Sequence, residues 1–311
     1  MNLEQFYKDN KEGISQASIR TYKGNVERIF KAVKPRLKAL KTLRFLYLDY
    51  LKVIEWINSH FTNSLSKSGY LTTAYLTLEM LKPTKKIKDA ITAYRTADKP
   101  LKEKYQDRIN SNTPTEKQKK NYISYDKLLK YADELEKPIS KAVALISLIY
   151  PRRTDLKDVK IITLTDFKRL NKEGKEKNNW LVISKNGNYT FYFYQFKTCK
   201  LYTQCVIKVD NPKVKKAIKE YLKVRNNDPN KPYFIYSQRG IKLTDKTYSR
   251  YISNIFKPLG VNITPNSIRH IFISQNIDQH KADQAKAANM SHSVASQKSY
   301  ILDYEADPIN N

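Results

Sequence analysis

The segment "WLVISKNGNYTFYFYQFKTCKLYTQCVIKV", residues 180–209, decides the fold class, because its residue composition and pattern differ from those of the sequence on either side. Three runs within it, WLVIS, YTFYFYQF and LYTQCVIKV, are rich in the β-branched and aromatic residues that favour strands. The runs are separated by KNGN and KTCK, and the Asn-Gly pair is typical of a tight hairpin turn. The segment therefore predicts a three-stranded antiparallel sheet.

The sequence on both sides of this segment is helical in pattern. In "SIRTYKGNVERIFKAV", residues 18–33, apolar side chains recur at steps of three and four, and Ser18 is placed to cap the helix. "PISKAVALISLIY", residues 138–150, has the composition of a buried helix and runs into Pro151. Helical patterns return after Asp210. The predicted class is mainly α with a small antiparallel β-sheet, an α+β fold.

A polar stretch divides the chain. Residues 110–120, "NSNTPTEKQKK", contain no apolar side chain and hold a Pro near the middle, as linkers commonly do. This composition predicts a helical domain over residues 1–109, a linker over 110–120 and a second domain over 121–311.

Charge points to a polyanionic partner. The chain has 58 Lys and Arg against 30 Asp and Glu, a net charge of +28. Residues 1–110 carry 22 basic and 11 acidic side chains, and residues 121–311 carry 33 and 18. Such an excess over both halves favours contact with nucleic-acid phosphates, with salt-sensitive binding. A Lys-rich bias from an AT-rich genome is the alternative explanation.

Composition speaks against several other classes of protein. Cys199 and Cys205 are the only cysteines, too few for a disulfide scaffold or a thiolate zinc site. No run of about 18 apolar residues is present to span a membrane, and the polar start "MNLEQFYKDNKEG" does not resemble a signal peptide. We expect a protein without cofactor, metal or membrane partner, located inside the cell and at DNA.

Five short features follow one another in the second half of the chain. They are YPRRTDL at residues 150–156, FKTCK at 196–200, TPNSIRH at 264–270, MSHS at 290–293, and Tyr300, eight residues after the His of MSHS. In this order they resemble the tyrosine recombinase (integrase) family. That family has an Arg in a motif like R-x-S/T-E/D-L, a Lys in a β-hairpin, H-x-x-R-H on a helix, G-H-S-x and a nucleophilic Tyr.

The resemblance covers roughly residues 121–304 and implies a role for each matching residue. Tyr300 would be the nucleophile, Arg152, Arg269 and His292 would stabilise the transition state, and Lys197 would be the general acid. The YPRR form is similar to integrases of large DNA viruses and their mobile elements.

The implied activity is that of a site-specific DNA recombinase or integrase, which cuts and rejoins strands through a 3′-phosphotyrosine intermediate without metal. The implied partner is double-stranded DNA, with a homo-tetramer on two duplexes and residues 1–109 as the core-binding domain. A type IB topoisomerase uses similar groups and is one alternative. A catalytically inactive DNA-binding protein is another.

These residue types suit the chemistry on physical grounds as well. Transesterification at phosphorus needs a nucleophile, positive charge for the transition state and an acid for the departing oxygen. Arg presents a planar fork to two phosphate oxygens and stays charged. Lys suits the acid role, because burial or a cationic neighbour lowers its pKa.

Three of these positions have a neighbouring competitor. Arg153 competes with Arg152, Lys200 with Lys197, and Tyr304 with Tyr300; the motif spacing favours the member named second in each pair.

Asn266 stands where the family most often has His, and an amide can donate a hydrogen bond to phosphate but cannot shuttle a proton. We expect an orienting role for Asn266 and a structural one for His270.

The spacing of His292 and Tyr300 requires a break in the helix. Eight residues of continuous helix rise about 12 Å, too far for both side chains to reach one phosphate. If Ser293 caps a helix that starts between them, Tyr300 lies two turns along it and leans back toward the entrance.

Overall fold

The fold was established with a computed structural model, which describes residues 1–196, 199, 204–225, 231–237 and 239–275. The chain divides into two compact units, Met1–Ser111 and Asn112–Asn311. No helix within the described ranges is both long enough and apolar enough to cross a membrane.

The first unit is built from helices. They are α1 Leu3–Asn10, α2 Gln16–Val33, α3 Phe45–Leu48, α4 Tyr50–His60, α5 Ser64–Glu79 and α6 Lys85–Asn110. Their apolar faces enclose one core, in which Tyr7, Ile29, Leu46 and Tyr94 are fully buried. The Tyr94 hydroxyl satisfies its hydrogen-bonding need by donating to the carbonyl of Leu46 at 2.8 Å.

The start of α2 differs from the sequence prediction. Ser15, not Ser18, caps the helix, and its hydroxyl accepts the backbone N–H of Ser18 at 3.1 Å. A Ser three residues before another Ser gives two possible caps of the same type, and the outer one allows the helix one further turn.

The second unit combines helices with one sheet. Its helices are α7 Glu116–Lys120, α8 Tyr125–Glu134, α9 Pro138–Ile149, α10 Leu164–Arg169, α11 Lys172–Glu176, α12 Pro212–Val224, α13 Asp245–Phe256 and α14 Pro265–Gln275. Its strands are β1 Val159–Thr163, β2 Asn179–Ile183, β3 Tyr189–Phe193 and β4 Cys205–Lys208. The mainly α, α+β class predicted from the sequence is confirmed. Within the stretch predicted as a linker, α7 is helical and carries a capping box formed by Thr115 and Gln118.

The prediction of a three-stranded antiparallel sheet was wrong in one respect. Within the described residues the sheet has four strands in the order β1-β2-β3-β4, and β1 pairs with β2 in parallel, whereas β2–β3 and β3–β4 are antiparallel. The additional strand, VKIIT, is short, and α10 and α11 form the crossover that a parallel pair requires. The mixed sheet is thus the predicted three strands with one parallel edge strand added.

Helix α9 is the central helix of the second unit. It packs against α8, α12, α13 and α14, and residues 142–148 are buried. An apolar helix surrounded on several sides is rigid, because core side chains interlock at crystal-like density. The chain that leaves its carboxyl end, at Tyr150, therefore starts from a fixed point.

Candidate active site

Arg152 lies directly after α9, between that helix and a 3₁₀ turn at Asp155–Asp158. Although charged, it is only 6% exposed. Its Nε and one terminal nitrogen donate to the same oxygen of Asp155, at 3.0 and 2.8 Å. Asp155 therefore orients the Arg152 guanidinium.

Two aromatic rings also lie close to the Arg152 guanidinium. Its Cζ lies 4.6 Å from the ring centre of Phe193 and 5.1 Å from that of Phe196. The faces of these rings carry partial negative charge, so they attract the cation while they exclude water from it. Carboxylate and rings together offset the cost of burying the charge and fix the plane of the fork.

Arg152 is more deeply buried than its neighbour Arg153. Arg153 is half-buried, whereas the Arg152 side chain is 5% exposed and lines a small cavity with Phe193 and Tyr248. The structure thus gives the two adjacent arginines different environments, and only the motif spacing distinguished them in the sequence.

Tyr150 fixes the start of the Arg152 loop, a role that sequence reasoning missed. Its hydroxyl donates to Asp210 Oδ1 at 2.6 Å and accepts the backbone N–H groups of Asp210 and Asn211 at 3.2 and 3.3 Å. Asn211 in turn caps α12. One phenol therefore joins the end of α9 to the start of α12, two residues before Arg152.

Removing this hydroxyl should loosen the loop. We expect Tyr150→Phe to lower the free energy of unfolding of the second unit by about 2 kcal/mol, because a carboxylate and two amides lose their shared partner. Urea unfolding followed by circular dichroism measures the change. Tyr189→Phe is the matched control, since the Tyr189 hydroxyl makes no hydrogen bond within the described part of the chain. Equal losses in the two variants would contradict the role assigned to Tyr150.

The contact between Tyr150 and Asp210 also makes the stability of the second unit depend on pH. Burial, and then the hydrogen bond to Asp210, raise the pKa of Tyr150 to about 12. A raised pKa means that the folded state holds the proton more tightly than an unfolded tyrosine with a pKa near 10. The stabilisation is complete below pH ~10 and is lost as the pH rises toward 12. The difference between wild type and Tyr150→Phe should shrink over that range.

Arg269 is held by α14. It is 3% exposed, on the face of the helix that also buries Pro265 and Ile273, one turn before and one turn after it. The sequence sets the start of this helix: the Thr264 hydroxyl accepts the N–H of Ser267 at 3.1 Å, and Ser267 Oγ accepts the N–H of Thr264 at 3.3 Å. This reciprocal capping, with Pro265 at the first position, fixes where Arg269 falls on the helix.

Asn266 and His270 are one turn apart on α14, and both are less buried than Arg269. Asn266 is exposed and His270 is half-buried, and both line a polar cavity of about 160 Å³ together with Lys117 and Asn121. Asn266 is three residues before Arg269, a spacing that brings two helix residues side by side at the surface. The structure places Asn266 beside Arg269 along the helix, but in a more open environment.

Helix α9 connects the two buried arginines. It packs directly against α14, which carries Arg269, and Arg152 follows its carboxyl end. The remaining predicted site residues, Lys197, His292 and Tyr300, lie outside the described residues, as do Lys200 and Tyr304.

No cluster of three His, Cys, Asp or Glu side chains able to hold a metal ion occurs in the described ranges.

The fold of the chain is similar to that of solved integrase structures. It is similar to the structure of a Tn1549 transposon integrase in complex with transposon right end DNA, with 13% identity and a TM-score of 0.56 over 96% of this chain and 94% of that one. It is also similar to a lambda integrase dimer bound to a COC′ core site, with 14% identity and a TM-score of 0.54 over 99% of this chain and 95% of that one. No protein-family profile and no curated protein sequence matches the chain.

Proposed function

We propose that this protein is a site-specific DNA recombinase or integrase that cleaves and rejoins strands through a 3′-phosphotyrosine bond. The environment of Arg152 is the observation that carries the proposal. A guanidinium buried to 6% exposure, oriented by Asp155 and close to two aromatic rings, follows the central helix within the sequence Arg-Arg-Thr-Asp-Leu. Arg269, buried at the capped start of a helix that packs on the same central helix, is the second such group.

The proposed reaction is a transesterification that conserves the energy of the phosphodiester. Tyr300 Oη attacks phosphorus and loses its proton to solvent, the bond from phosphorus to the 5′ oxygen breaks, and Lys197 gives that oxygen a proton. Arg152, Arg269 and His292 donate hydrogen bonds to the non-bridging oxygens as negative charge builds there. Attack of a 5′-hydroxyl from the partner duplex on the phosphotyrosine reverses the chemistry and completes strand exchange.

The substrate that fits this chain is duplex DNA, and the first unit supports that choice. It has a surface groove of about 490 Å³ next to Phe45. The basic residues that line the groove are Lys34, Arg36, Lys38, Lys41 and Arg44. All but Lys34, which pairs with Asp49 at 2.8 Å, are exposed. We propose that the helical unit is a core-binding-like domain that holds phosphates through this groove, with a salt dependence that reflects released counterions.

The active assembly and the kind of DNA substrate follow from the proposed chemistry. Strand exchange between two duplexes requires four cleavage sites, so a homo-tetramer on two duplexes is the proposed active assembly. Two structures of similar fold hold transposon right end DNA and a COC′ core site, which supports the ends of a mobile element as the substrate. The YPRR form, similar to integrases of large DNA viruses, agrees with a viral element.

Covalent capture tests the proposal. Wild-type protein, incubated with DNA nicked beside the scissile position, should form a complex that survives SDS, because the short fragment that carries the new 5′-hydroxyl diffuses away and rejoining stops. The substrate set should contain the ends of the element that encodes the protein. Capture should be undiminished in EDTA, since the proposed site supplies all positive charge from side chains.

The outcomes separate the alternatives. Absence of capture on every such DNA, or a strict requirement for magnesium, would overturn the proposal. Capture accompanied by plasmid relaxation by monomers, without recombinant products, would favour the type IB topoisomerase. Salt-sensitive DNA binding without capture would favour the inactive DNA-binding protein.

A further inference from the structure

Asn179 is a buried polar residue that none of the predicted functions uses. It is the first residue of β2, is 0% exposed, and is followed by Trp180, Leu181 and Val182, which are all buried apolar side chains. Burying an amide costs free energy unless all of its polar atoms are bonded, so an apolar residue would be the simpler choice for stability alone.

The Asn179 amide is satisfied by the backbone that leaves β3. Its Oδ1 accepts the N–H groups of Tyr194 and Gln195 at 2.9 and 2.7 Å, and its Nδ2 donates to the carbonyl of Gln195 at 2.9 Å. The ladder between β2 and β3 stops at the pairing of Trp180 with Tyr192. Beyond that pair the side chain of Asn179 takes over the bonds that strand pairing would otherwise make.

The Gln195 side chain adds a second restraint to the same segment. Its Nε2 donates to the carbonyl of Glu176 at 2.7 Å, at the end of α11. The backbone of Gln195 is thus bonded to β2, and its side chain is bonded to α11. The next residue, Phe196, is 9% exposed and presents its ring to the Arg152 guanidinium at 5.1 Å.

We propose that Asn179 is a positioning residue for Arg152. It fixes the backbone just before Phe196, Phe196 bounds one side of the guanidinium, and the orientation of the Arg152 fork toward a phosphate follows from that contact. The inference rests on the proposed strand-transfer function. It gives a reason for a buried amide at the start of β2 that strand formation does not.

The first test compares Asn179→Ala with wild type in single-turnover capture on nicked DNA. The rate should fall about 100-fold, since a misplacement of ~1 Å in a reacting group has effects of that size. DNA affinity, measured in the Tyr300→Phe background, should stay the same. Asn188→Ala is the matched control, because Asn188 lies exposed at the other end of the β2–β3 hairpin and bonds through its backbone to Ser184; it should react like wild type.

The second test distinguishes action through Arg152 from general loosening. In a DNA whose scissile phosphate is replaced by a neutral methylphosphonate, there is less charge for Arg152 to stabilise, so the defect of Arg152→Ala should shrink. If Asn179 acts through Arg152, the rate defect of Asn179→Ala should also be smaller on methylphosphonate DNA than on phosphate DNA. A defect of equal size on phosphate and methylphosphonate, or a wild-type rate on phosphate, would overturn the inference.

Phe196→Leu covers the case in which Asn179→Ala does not fold. It removes the ring beside the guanidinium and leaves the Asn179 hydrogen bonds in place, so the same two readouts apply. A wild-type rate for a folded Phe196→Leu would also overturn the inference. Failure of wild type to capture any DNA would instead contradict the proposed function, so the two failures are distinguishable.

Discussion

The Tyr300→Phe variant is expected to form no SDS-resistant complex with a nicked DNA that captures the wild-type protein. The substitution removes one oxygen, the atom proposed to attack phosphorus, and keeps the ring. No other atom of the side chain can form the ester, so the loss should be complete and not graded. Because the charge of +28 is unchanged, the variant should still bind DNA with wild-type salt sensitivity. Denaturing gels measure the first property and gel shifts the second.

Tyr304→Phe is the control for Tyr300→Phe, because it makes the same chemical change four residues later. It should be captured like wild type. If Tyr304→Phe lost capture and Tyr300→Phe kept it, the nucleophile would be Tyr304. The eight-residue spacing from His292 to Tyr300 would then have no role in the reaction.

Mapping the linkage gives an independent check. Cleavage after Lys298 by trypsin yields a peptide that begins SYILDYEADPINN and holds both Tyr300 and Tyr304, so fragmentation of the peptide–nucleotide adduct must locate the modified ring. The released DNA fragment should accept phosphate from a polynucleotide kinase at its 5′ end, since the proposed cleavage leaves a 5′-hydroxyl. A 5′-phosphate at that end would contradict the polarity of the reaction.

The sequence predicted the fold class and three of the strands because their signals are local. Runs of aromatic and β-branched residues divided by Asn-Gly specify strands without knowledge of the rest of the chain. Strand β1, VKIIT, is also rich in β-branched residues, but no Asn-Gly pair bounds it, and an apolar run of five residues could belong to a helix as well. It becomes a strand because α10 and α11 return the chain to a parallel position beside β2, which is a property of the tertiary structure.

The candidate site was predictable to a similar extent. Motif spacing favoured Arg152, and the acid three residues later, Asp155, is a local partner that the sequence could suggest. Phe193 and Phe196 are more than 40 residues away, and nothing in their runs marks them as neighbours of an arginine. Asn179 shows only a weak signal, an amide at the edge of the apolar run WLVI, and its meaning appears once the backbone of Gln195 is seen against it.

Substitution of Arg152 should have the second largest effect. We expect Arg152→Ala and Arg152→Lys to slow covalent capture by about 10²–10³-fold, the usual loss when one donor to a developing oxyanion is removed. Lysine should not rescue the reaction. A single ammonium cannot keep its bond to Asp155, remain against the rings of Phe193 and Phe196, and still present a planar fork to two phosphate oxygens.

Arg153 supplies the control that makes this prediction specific. Arg153→Ala changes the net charge by the same amount, one residue later, at a half-buried position, so any effect of charge on DNA affinity is shared by the two variants. Rates should be measured at saturating DNA and corrected for the folded fraction by circular dichroism, because loss of Arg152 leaves the carboxylate of Asp155, which is only 15% exposed, without this cation. If Arg153→Ala slowed capture and Arg152→Ala did not, the reacting phosphate would lie outside the pocket formed by Asp155, Phe193 and Phe196. Burial and fixed orientation would then serve stability, and the assignment of this pocket to catalysis would be wrong.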